Sequence, residues 1–194
     1  SSISKSYINH CHKMALSLKE KYSLGKNSFH IDIAGNDCAL LQQFREVVGG
    51  KILNVDPAIN LAAICDAADI PTLTYFWGIE VVKRIEHVYG KADLITATNV
   101  FAHVDDVEEF MRAAAYILAS DGVLVMEFPY LIDFIENKEF DTIYFEHLSY
   151  FSVLPLLLLC NKFGLELLHV QKEAIHGGSL RVTRGRGIPD GTAS

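Results

Sequence analysis

FHIDIAGNDC, residues 29–38, is the stretch from which the fold of this chain is predicted. Phe29, Ile31 and Ile33 alternate with polar residues, a pattern that indicates a short β-strand. Small and turn-forming residues follow, and a helical run begins at Ala39. A strand, a tight turn and a helix N-terminus bring backbone N–H groups close to a ligand. Because many α/β domains contain such a turn, this stretch by itself is only a weak indication that a nucleotide-like ligand binds here.

Strands and helices alternate through the rest of the chain. The predicted strands after the first are residues 51–55, 72–76, 92–97, 123–128, 165–175 and 179–183. Helices separate the first five strands, an Asp121-Gly122 turn is expected before the fifth, and the last two strands meet at Gly177-Gly178. This order predicts an α/β fold with helices on both faces of a parallel sheet. A seven-stranded, mostly parallel sheet with an antiparallel last strand resembles the Rossmann-like sandwich of the class I S-adenosylmethionine (SAM) methyltransferases.

The length of 194 residues suits one domain with short appendages. We expect an N-terminal helix within residues 1–28, a SAM-dependent methyltransferase domain at residues 29–184 and a disordered tail at residues 185–194. The helix is predicted to end at a Gly25 C-cap. Residues 129–151 are expected to be irregular, and a loop of that length inside a compact domain is usually functional.

Charge and cysteine content disfavour several classes of partner. The net charge of −7 argues against nucleic acids and anionic membranes, because both bind clustered positive charge. The richest apolar run, residues 153–160, is short and contains a proline, so it is interpreted as a buried helix. No C-x-x-C pair is present, so we expect no metal site and reduced thiols in a cytoplasmic protein. The four cysteines are Cys11, Cys38, Cys65 and Cys160.

Candidate cofactor ligands lie at the ends of the first two strands. They are Asp32 within the first strand, Ala34, Gly35 and Asn36 directly after it, and Asp56 with Pro57 at the end of the second. An acidic side chain about twenty residues beyond such a loop accepts hydrogen bonds from ribose hydroxyls. Asp56 is alternatively a helix cap, and the two roles are compatible.

The loop after the fourth strand lies at the same predicted edge of the sheet. It contains the cofactor candidates Asn99 and Phe101, followed by His103. Phe101 either covers part of a cofactor or packs in the core. His103 is either an acid/base group or a solvated histidine at a helix start.

The densest cluster of reactive side chains lies in residues 141–150. Tyr144, Glu146 and His147 place a phenol, a carboxylate and an imidazole within four residues. A histidine takes up a proton near neutral pH, and a neighbouring carboxylate raises its basicity or orients it. A polar loop packed by its own aromatic side chains is the alternative.

The last hairpin contains the candidate substrate ligands His176, Gly178, Ser179 and Arg181. Glycines expose backbone N–H groups, and an arginine offers a fork for phosphate or carboxylate. The remaining histidines fall in helix or strand patterns and are interpreted as structural or solvated. They are His10, His12, His30, His87 and His169.

Six segments resemble the sugar-nucleotide C-methyltransferases of deoxysugar biosynthesis. In family order they are IDIAGNDCALL, NVDPAIN, ADLITATNVFAHVDD, GVLVMEFPYL, DTIYFEHLSYFS and HGGSLRV. The resemblance implies that SAM is the cofactor and that an NDP-sugar is the substrate. It implies methylation, through an enolate, of a carbon beside the ketone of an NDP-4-keto-deoxysugar.

The same resemblance implies roles for individual residues. Tyr144, Glu146 and His147 match the family's Y-x-E-H active-site motif, with His147 as the usual base and Tyr144 near the enolate oxygen. His103 is the competing base, and Asp56 is the ligand of the SAM ribose.

The chain departs from the family pattern in three places. Ala34 and Cys38 replace two usual glycines, and Phe145 stands where many members have histidine. The zinc module with four cysteines and the C-terminal module of the family are not recognisable in this chain. These departures motivate an alternative, a non-catalytic SAM- or nucleotide-sugar-binding domain of a larger assembly. An NAD-linked Rossmann enzyme is a third possibility, which the absence of G-x-G-x-x-G opposes.

Overall fold

The computed structural model describes residues 4–138, 148–173 and 179–186. Its first half contains α1 (Lys5–Lys21), β1 (Phe29–Ile33), α2 (Ala39–Val47), β2 (Lys51–Val55), α3 (Ile59–Ala67), β3 (Thr72–Leu73), α4 (Ile79–Tyr89) and β4 (Ala92–Thr98). A 3-10 turn (Phe101–His103) follows, and then α5 (Val107–Ile117), β5 (Leu118–Pro129), α6 (Leu131–Asn137), α7 (Val153–Lys162), β6 (Leu165–Glu173) and β7 (Ser179–Arg186).

Seven strands form one sheet in the order β3-β2-β1-β4-β5-β7-β6. The first five strands are parallel, and β7 runs antiparallel to both β5 and β6. The predicted α/β class, with a mostly parallel sheet and an antiparallel last strand, is therefore confirmed. In this topology the carboxyl ends of β1, β2, β4 and β5 meet at one edge, where ligands of doubly wound folds bind.

Helix α1 belongs to the same fold as the sheet. Its residues Cys11, Met14, Ala15 and Leu18 recur at helical spacing and are buried. They pack with residues of α2, β4 and β5 in one apolar cluster. The helix begins at a Ser4 N-cap, and its backbone ends four residues before the predicted Gly25 cap, at Lys21.

Four elements differ from the prediction in their bounds. The fifth strand begins at Leu118 and continues through the predicted Asp121-Gly122 turn. A Cβ on Gly122 would lie 2.6 Å from the carbonyl oxygen of Ala92, so this glycine serves close strand approach.

Helix α6 occupies part of the segment that was expected to be irregular, and β3 is shorter than predicted. Strand β7 continues to Arg186, so the predicted tail begins inside the sheet. Among the described residues, no helix has both the length and the apolar character needed to cross a bilayer.

Candidate active site

The loop after β1 has an unusual backbone. Ala34, Asn36 and Cys38 have φ angles of 52°, 53° and 61°, in the left-handed region that favours glycine. Two of these residues stand where the resembling family has glycine. Backbone hydrogen bonds from Ala34 N to Val55 O (2.8 Å) and from Cys38 N to Gly35 O (2.8 Å) hold the loop in this shape.

Gly35 allows this loop to approach two side chains closely. A Cβ there would lie 2.6 Å from Asp32 Oδ2 and 2.7 Å from Asn54 Oδ1. The Gly35 N–H donates to Asn54 Oδ1 at 3.1 Å. Asn54 was not among the predicted site residues, although an amide within the apolar strand K-I-L-N-V was a visible signal. The close approach makes Gly35 a structural requirement of the loop.

Replacing Gly35 by alanine is expected to weaken SAM binding by roughly 1–3 kcal/mol, because the added methyl group forces the loop away from Asp32 and Asn54. Isothermal titration calorimetry measures this change. Gly25→Ala is the matched control, since nothing lies within 4 Å of its Cβ position. Equal SAM affinity in the two variants would contradict the assigned role of Gly35.

Asp56 fastens the loop to the next strand and helix. Its Oδ2 accepts a hydrogen bond from Asn36 N at 3.0 Å, and its Oδ1 accepts one from Ala58 N at 2.8 Å. The carboxylate is buried, whereas Pro57 is exposed. Ala58 is the N-cap of α3, so Asp56 is not itself the cap but bonds to the N–H of the cap residue, and carboxylate lone pairs remain for a ribose.

Asp32 ends a buried hydrogen-bond chain. His30 Nε2 lies 2.7 Å from Thr96 Oγ1, whose hydroxyl donates to Asp32 Oδ1 at 2.6 Å. The Thr96 proton points to Asp32, so His30 Nε2 is the donor of the first bond. Among the described residues, Asp32 Oδ2 has no hydrogen-bond partner.

Burial raises the pKa of Asp32 to about 7, against the opposing hydrogen bond from Thr96. Burial also lowers the pKa of His30 to about 3, so this imidazole stays neutral. An unpartnered buried carboxylate oxygen fits a cationic ligand group, because a nearby positive charge favours its ionised form. SAM carries such groups, so these residues fit the implied cofactor.

A disulfide between Cys38 and Cys65 joins the loop to α3. The prediction that these two cysteines are reduced is therefore wrong, whereas Cys11 and Cys160 are free and buried. The pair is 27 residues apart in sequence, but its Cα atoms are 5.7 Å apart because α3 lies beside the loop. Cys65 Sγ also lies 3.3 Å from Asn36 O. The bridge thus holds the left-handed loop against α3.

Thiol titration of the unfolded, unreduced protein is expected to detect the two free cysteines, and full reduction should expose all four. Cys65→Ser should lower the free energy of unfolding by roughly 3 kcal/mol, since the bridge closes a loop of intermediate length. A dithiol reductant should lower wild-type stability to that of the variant. Four reactive thiols without reductant would contradict the pairing.

The segment after β4 contains Asn99 and the candidate base His103. Asn99 has a left-handed φ of 56°, and its N–H donates to Glu127 O at 2.7 Å. His103 lies at the end of the 3-10 turn with an exposed side chain. Leu148 N and Ser149 N both donate to Ala102 O, at 2.9 and 3.1 Å. The chain immediately after residue 147 is therefore fastened next to His103.

Phe101 has a different place from the one predicted for a cofactor ligand. Its side chain is fully buried, with ring centroids 5.1 Å from Phe110, 6.2 Å from Phe128 and 4.6 Å from Phe151. Core packing, the alternative interpretation, accounts for all of these contacts. Phe101 therefore offers no surface to a cofactor.

Arg181 is buried in a chain of ion pairs. Its Nη2 lies 2.8 Å from Glu127 Oε2, and its Nη1 lies 2.7 Å from Glu173 Oε1. Two carboxylates thus neutralise the guanidinium that was expected to bind phosphate or carboxylate of a substrate. Ser179 is also buried, within β7. The sequence indicated the chemistry of Arg181 but not its partners, which belong to other strands.

Five of the predicted site residues lie outside the described parts of the chain. They are Tyr144, Glu146, His147, His176 and Gly178.

Two residues of α1 reach the same edge without having been predicted there. Tyr7 contacts the side chain of Thr98 at the end of β4, and His10 Nε2 lies 2.8 Å from Glu127 Oε1. Their helical spacing resembled an ordinary buried face. The sequence contained no signal that the first turns of α1 lie over the carboxyl edge.

The sequence is similar to that of a C-methyltransferase. The chain is 34% identical over 177 residues to the C-methyltransferase NovU of Streptomyces niveus. The alignment covers 91% of this chain and 42% of NovU, so the chain spans less than half the length of that relative.

Solved structures share the fold at low sequence identity. Magnesium protoporphyrin IX methyltransferase of Synechocystis PCC 6803, with bound SAH, superposes with a TM-score of 0.71 at 10% identity, covering 93% of this chain and 84% of that one. A putative methyltransferase in complex with the Trm112 activator of Haloferax volcanii superposes with a TM-score of 0.69 at 11% identity, covering 95% of each chain.

The model of a methyltransferase domain matches residues 13–170, a range that includes the loop after β1, Asp56 and the edge of β4 and β5. The chain therefore belongs to the methyltransferase-domain family, and S-adenosylmethionine is its cofactor.

Proposed function

We propose that this protein is a SAM-dependent C-methyltransferase that methylates a carbon beside the ketone of an NDP-4-keto-deoxysugar. The observation that carries the proposal is the 34% identity to a C-methyltransferase over 91% of the chain. The sugar-nucleotide substrate class rests on the resemblance of residues 141–152 and 176–182 to the deoxysugar enzymes. Since the chain spans 42% of that relative, substrate class and activity are proposals for this chain.

The loop after β1 and the end of β2 would hold the cofactor. Asp56 would accept hydrogen bonds from the ribose, and Asp32 Oδ2 would face a positively charged group. Gly35 keeps the loop close to Asp32 and Asn54, and the N–H of Asn36 in the same loop donates to Asp56. The carboxylates of Asp32 and Asp56 therefore stay at one edge of the sheet. When bound, SAM supplies an electrophilic methyl group.

A histidine would remove the proton from the sugar carbon beside the ketone. His147 and His103 are the two candidates. Leu148, the residue that follows His147 in the sequence, donates to Ala102 O at 2.9 Å, beside His103. The hydroxyl of Tyr144 would donate a hydrogen bond to the enolate oxygen, where negative charge develops. Holding both reactants in one orientation would supply much of the rate.

Mass spectrometry of the chain incubated with SAM and a panel of NDP-4-keto sugars tests the proposal. We expect one methyl group to be added to a 4-keto substrate and none to the matched sugar reduced to a 4-hydroxyl, because the ketone acidifies the neighbouring carbon. Equal methylation of both sugars, or transfer to neither, would contradict it.

A SAM-binding domain without catalysis is the second candidate. Burial of Arg181 and Ser179 favours it, because two residues expected to bind the sugar nucleotide are used within the sheet. This candidate predicts that calorimetry detects SAM binding while the mass-spectrometric assay detects no transfer to any sugar.

A further inference from the structure

The first turns of α1 lie over the carboxyl ends of β4 and β5, beside the proposed cofactor site. Tyr7 contacts Thr98, and the rings of Tyr7 and His10 stack with centroids 6.4 Å apart and planes 23° apart. The side chain of His10 is 15% exposed, whereas Cys11, Met14, Ala15 and Leu18 on the core face of α1 are buried. An imidazole is therefore accessible at this edge of the sheet.

A chain of charges fixes the orientation of His10. Glu127 Oε2 receives hydrogen bonds from Arg181 Nε at 2.9 Å and Nη2 at 2.8 Å, and Oε1 faces His10 Nε2 at 2.8 Å. Glu173 lies on the other side of Arg181, 2.7 Å from its Nη1. Glu127 is thus held from both sides and presents one fixed oxygen to the imidazole.

Glu127 is the acceptor of its bond with His10. Burial alone would raise the pKa of Glu127, but the hydrogen bond from His10 and the charge of Arg181 together lower it below its usual value. An ionised carboxylate only accepts hydrogen bonds, so the proton of this contact sits on Nε2. The side-chain contacts recorded for His10 within the described chain both involve Nε2, which lies 2.8 Å from Glu127 Oε1 and 3.3 Å from Arg181 Nη2. The second of these contacts joins two donors when the proton sits on Nε2, and in that tautomer Nδ1 is an acceptor.

Nδ1 of His10 lies on the side of the site where the sugar substrate, rather than SAM, is expected to bind. Asp32 and Asp56, the proposed cofactor ligands, end β1 and β2, whereas Glu127 lies near the end of β5. Strand order places β4 between β1 and β5, so a second ligand reaches the cofactor from the side of β4 and β5.

We propose that His10 binds the sugar substrate, with its Nδ1 accepting a hydrogen bond from a hydroxyl group of the sugar. The inference rests on the proposed function and adds to it a residue that anchors the substrate from α1. Glu127, Arg181 and Glu173 act through His10 as positioning residues.

His10→Gln separates this role from simple anchoring of α1. The glutamine amide can still donate to Glu127 Oε1, but no acceptor remains at the position of Nδ1. His12→Gln is the matched control, because His12 lies on the same helix and bonds to Gln43 Oε1 at 2.9 Å instead. The Michaelis constant for a dTDP-4-keto-6-deoxyhexose, the Kd of SAM and the melting temperature are measured for each variant.

We expect His10→Gln to raise the Michaelis constant roughly tenfold, as for one lost hydrogen bond, with the Kd of SAM and the melting temperature unchanged. His12→Gln should change none of the three. An unchanged Michaelis constant in His10→Gln, or a parallel loss of SAM affinity and melting temperature, would overturn the inference.

Ring ¹⁵N NMR of His10 tests the inference by a measurement that does not depend on methyl transfer. If wild-type protein transfers no methyl group to the sugar nucleotide, the proposed function has failed. The SAM-bound protein should still show His10 with a proton on Nε2 and an unbonded acceptor at Nδ1. A proton or an internal hydrogen bond at Nδ1 would overturn the inference by itself.

Discussion

Loss of the catalytic base is expected to slow methyl transfer by roughly 10²- to 10⁴-fold while leaving SAM affinity unchanged. We expect His147→Ala to abolish exchange of the sugar's α-proton with deuterated water, because exchange reports deprotonation separately from methyl transfer. His103→Ala should leave exchange measurable and slow methylation, since His103 follows the end of β4 at the proposed cofactor edge. Mass spectrometry of the sugar follows both reactions.

The exchange experiment has a matched control within the chain. His87→Ala removes an exposed imidazole near the end of α4, which precedes the amino end of β4, away from the site. It should leave both rates unchanged. The reverse pattern in the two site variants would assign deprotonation to His103. Exchange that survives in both would assign it to Tyr144 or to water.

The free energy of unfolding should fall by about 4 kcal/mol as the pH rises from about 4 to about 7, through Asp32 alone. Burial raises the pKa of this carboxyl from 3.8 to about 7. Between these values the folded protein binds a proton that the unfolded chain has released. The stabilisation is therefore complete below pH 4 and is lost as the pH approaches 7.

Urea unfolding at pH 5 and pH 8 compares wild type with Asp32→Asn, whose side chain is neutral and close to isosteric. The variant should lose most of this pH dependence. Saturating SAM should also reduce it, because a cation near Oδ2 favours the ionised carboxylate. Identical pH profiles for wild type and variant would contradict the assignment of a buried, protonated Asp32.

The α/β class was predictable because the spacing of apolar residues is a local property of the chain. Alternation in β1 indicated a strand, and it is one. All five residues of β1 are buried, and the His30 ring packs against Phe44 of α2 with centroids 4.2 Å apart. The partner of His30, Thr96, lies 66 residues away, so no local pattern could reveal their bond.

Side chains whose roles depend on distant partners were the least predictable. Arg181 carries the right chemistry for a phosphate, but β5 and β6 place Glu127 and Glu173 against it. Cys38 and Cys65 meet only because α3 folds back beside the loop. The edge residues Asp32 and Asp56 were predictable, since strand ends in a parallel sheet converge.

The most direct test of the account is the carbon to which the methyl group becomes attached. Incubation with ¹³C-methyl SAM and an NDP-4-keto-6-deoxyhexose, followed by ¹³C NMR of the product, gives this position. We expect a methyl carbon bonded to the ring carbon beside the ketone, with loss of that carbon's proton. A methyl carbon bonded to oxygen, or no labelled sugar at all, would contradict it.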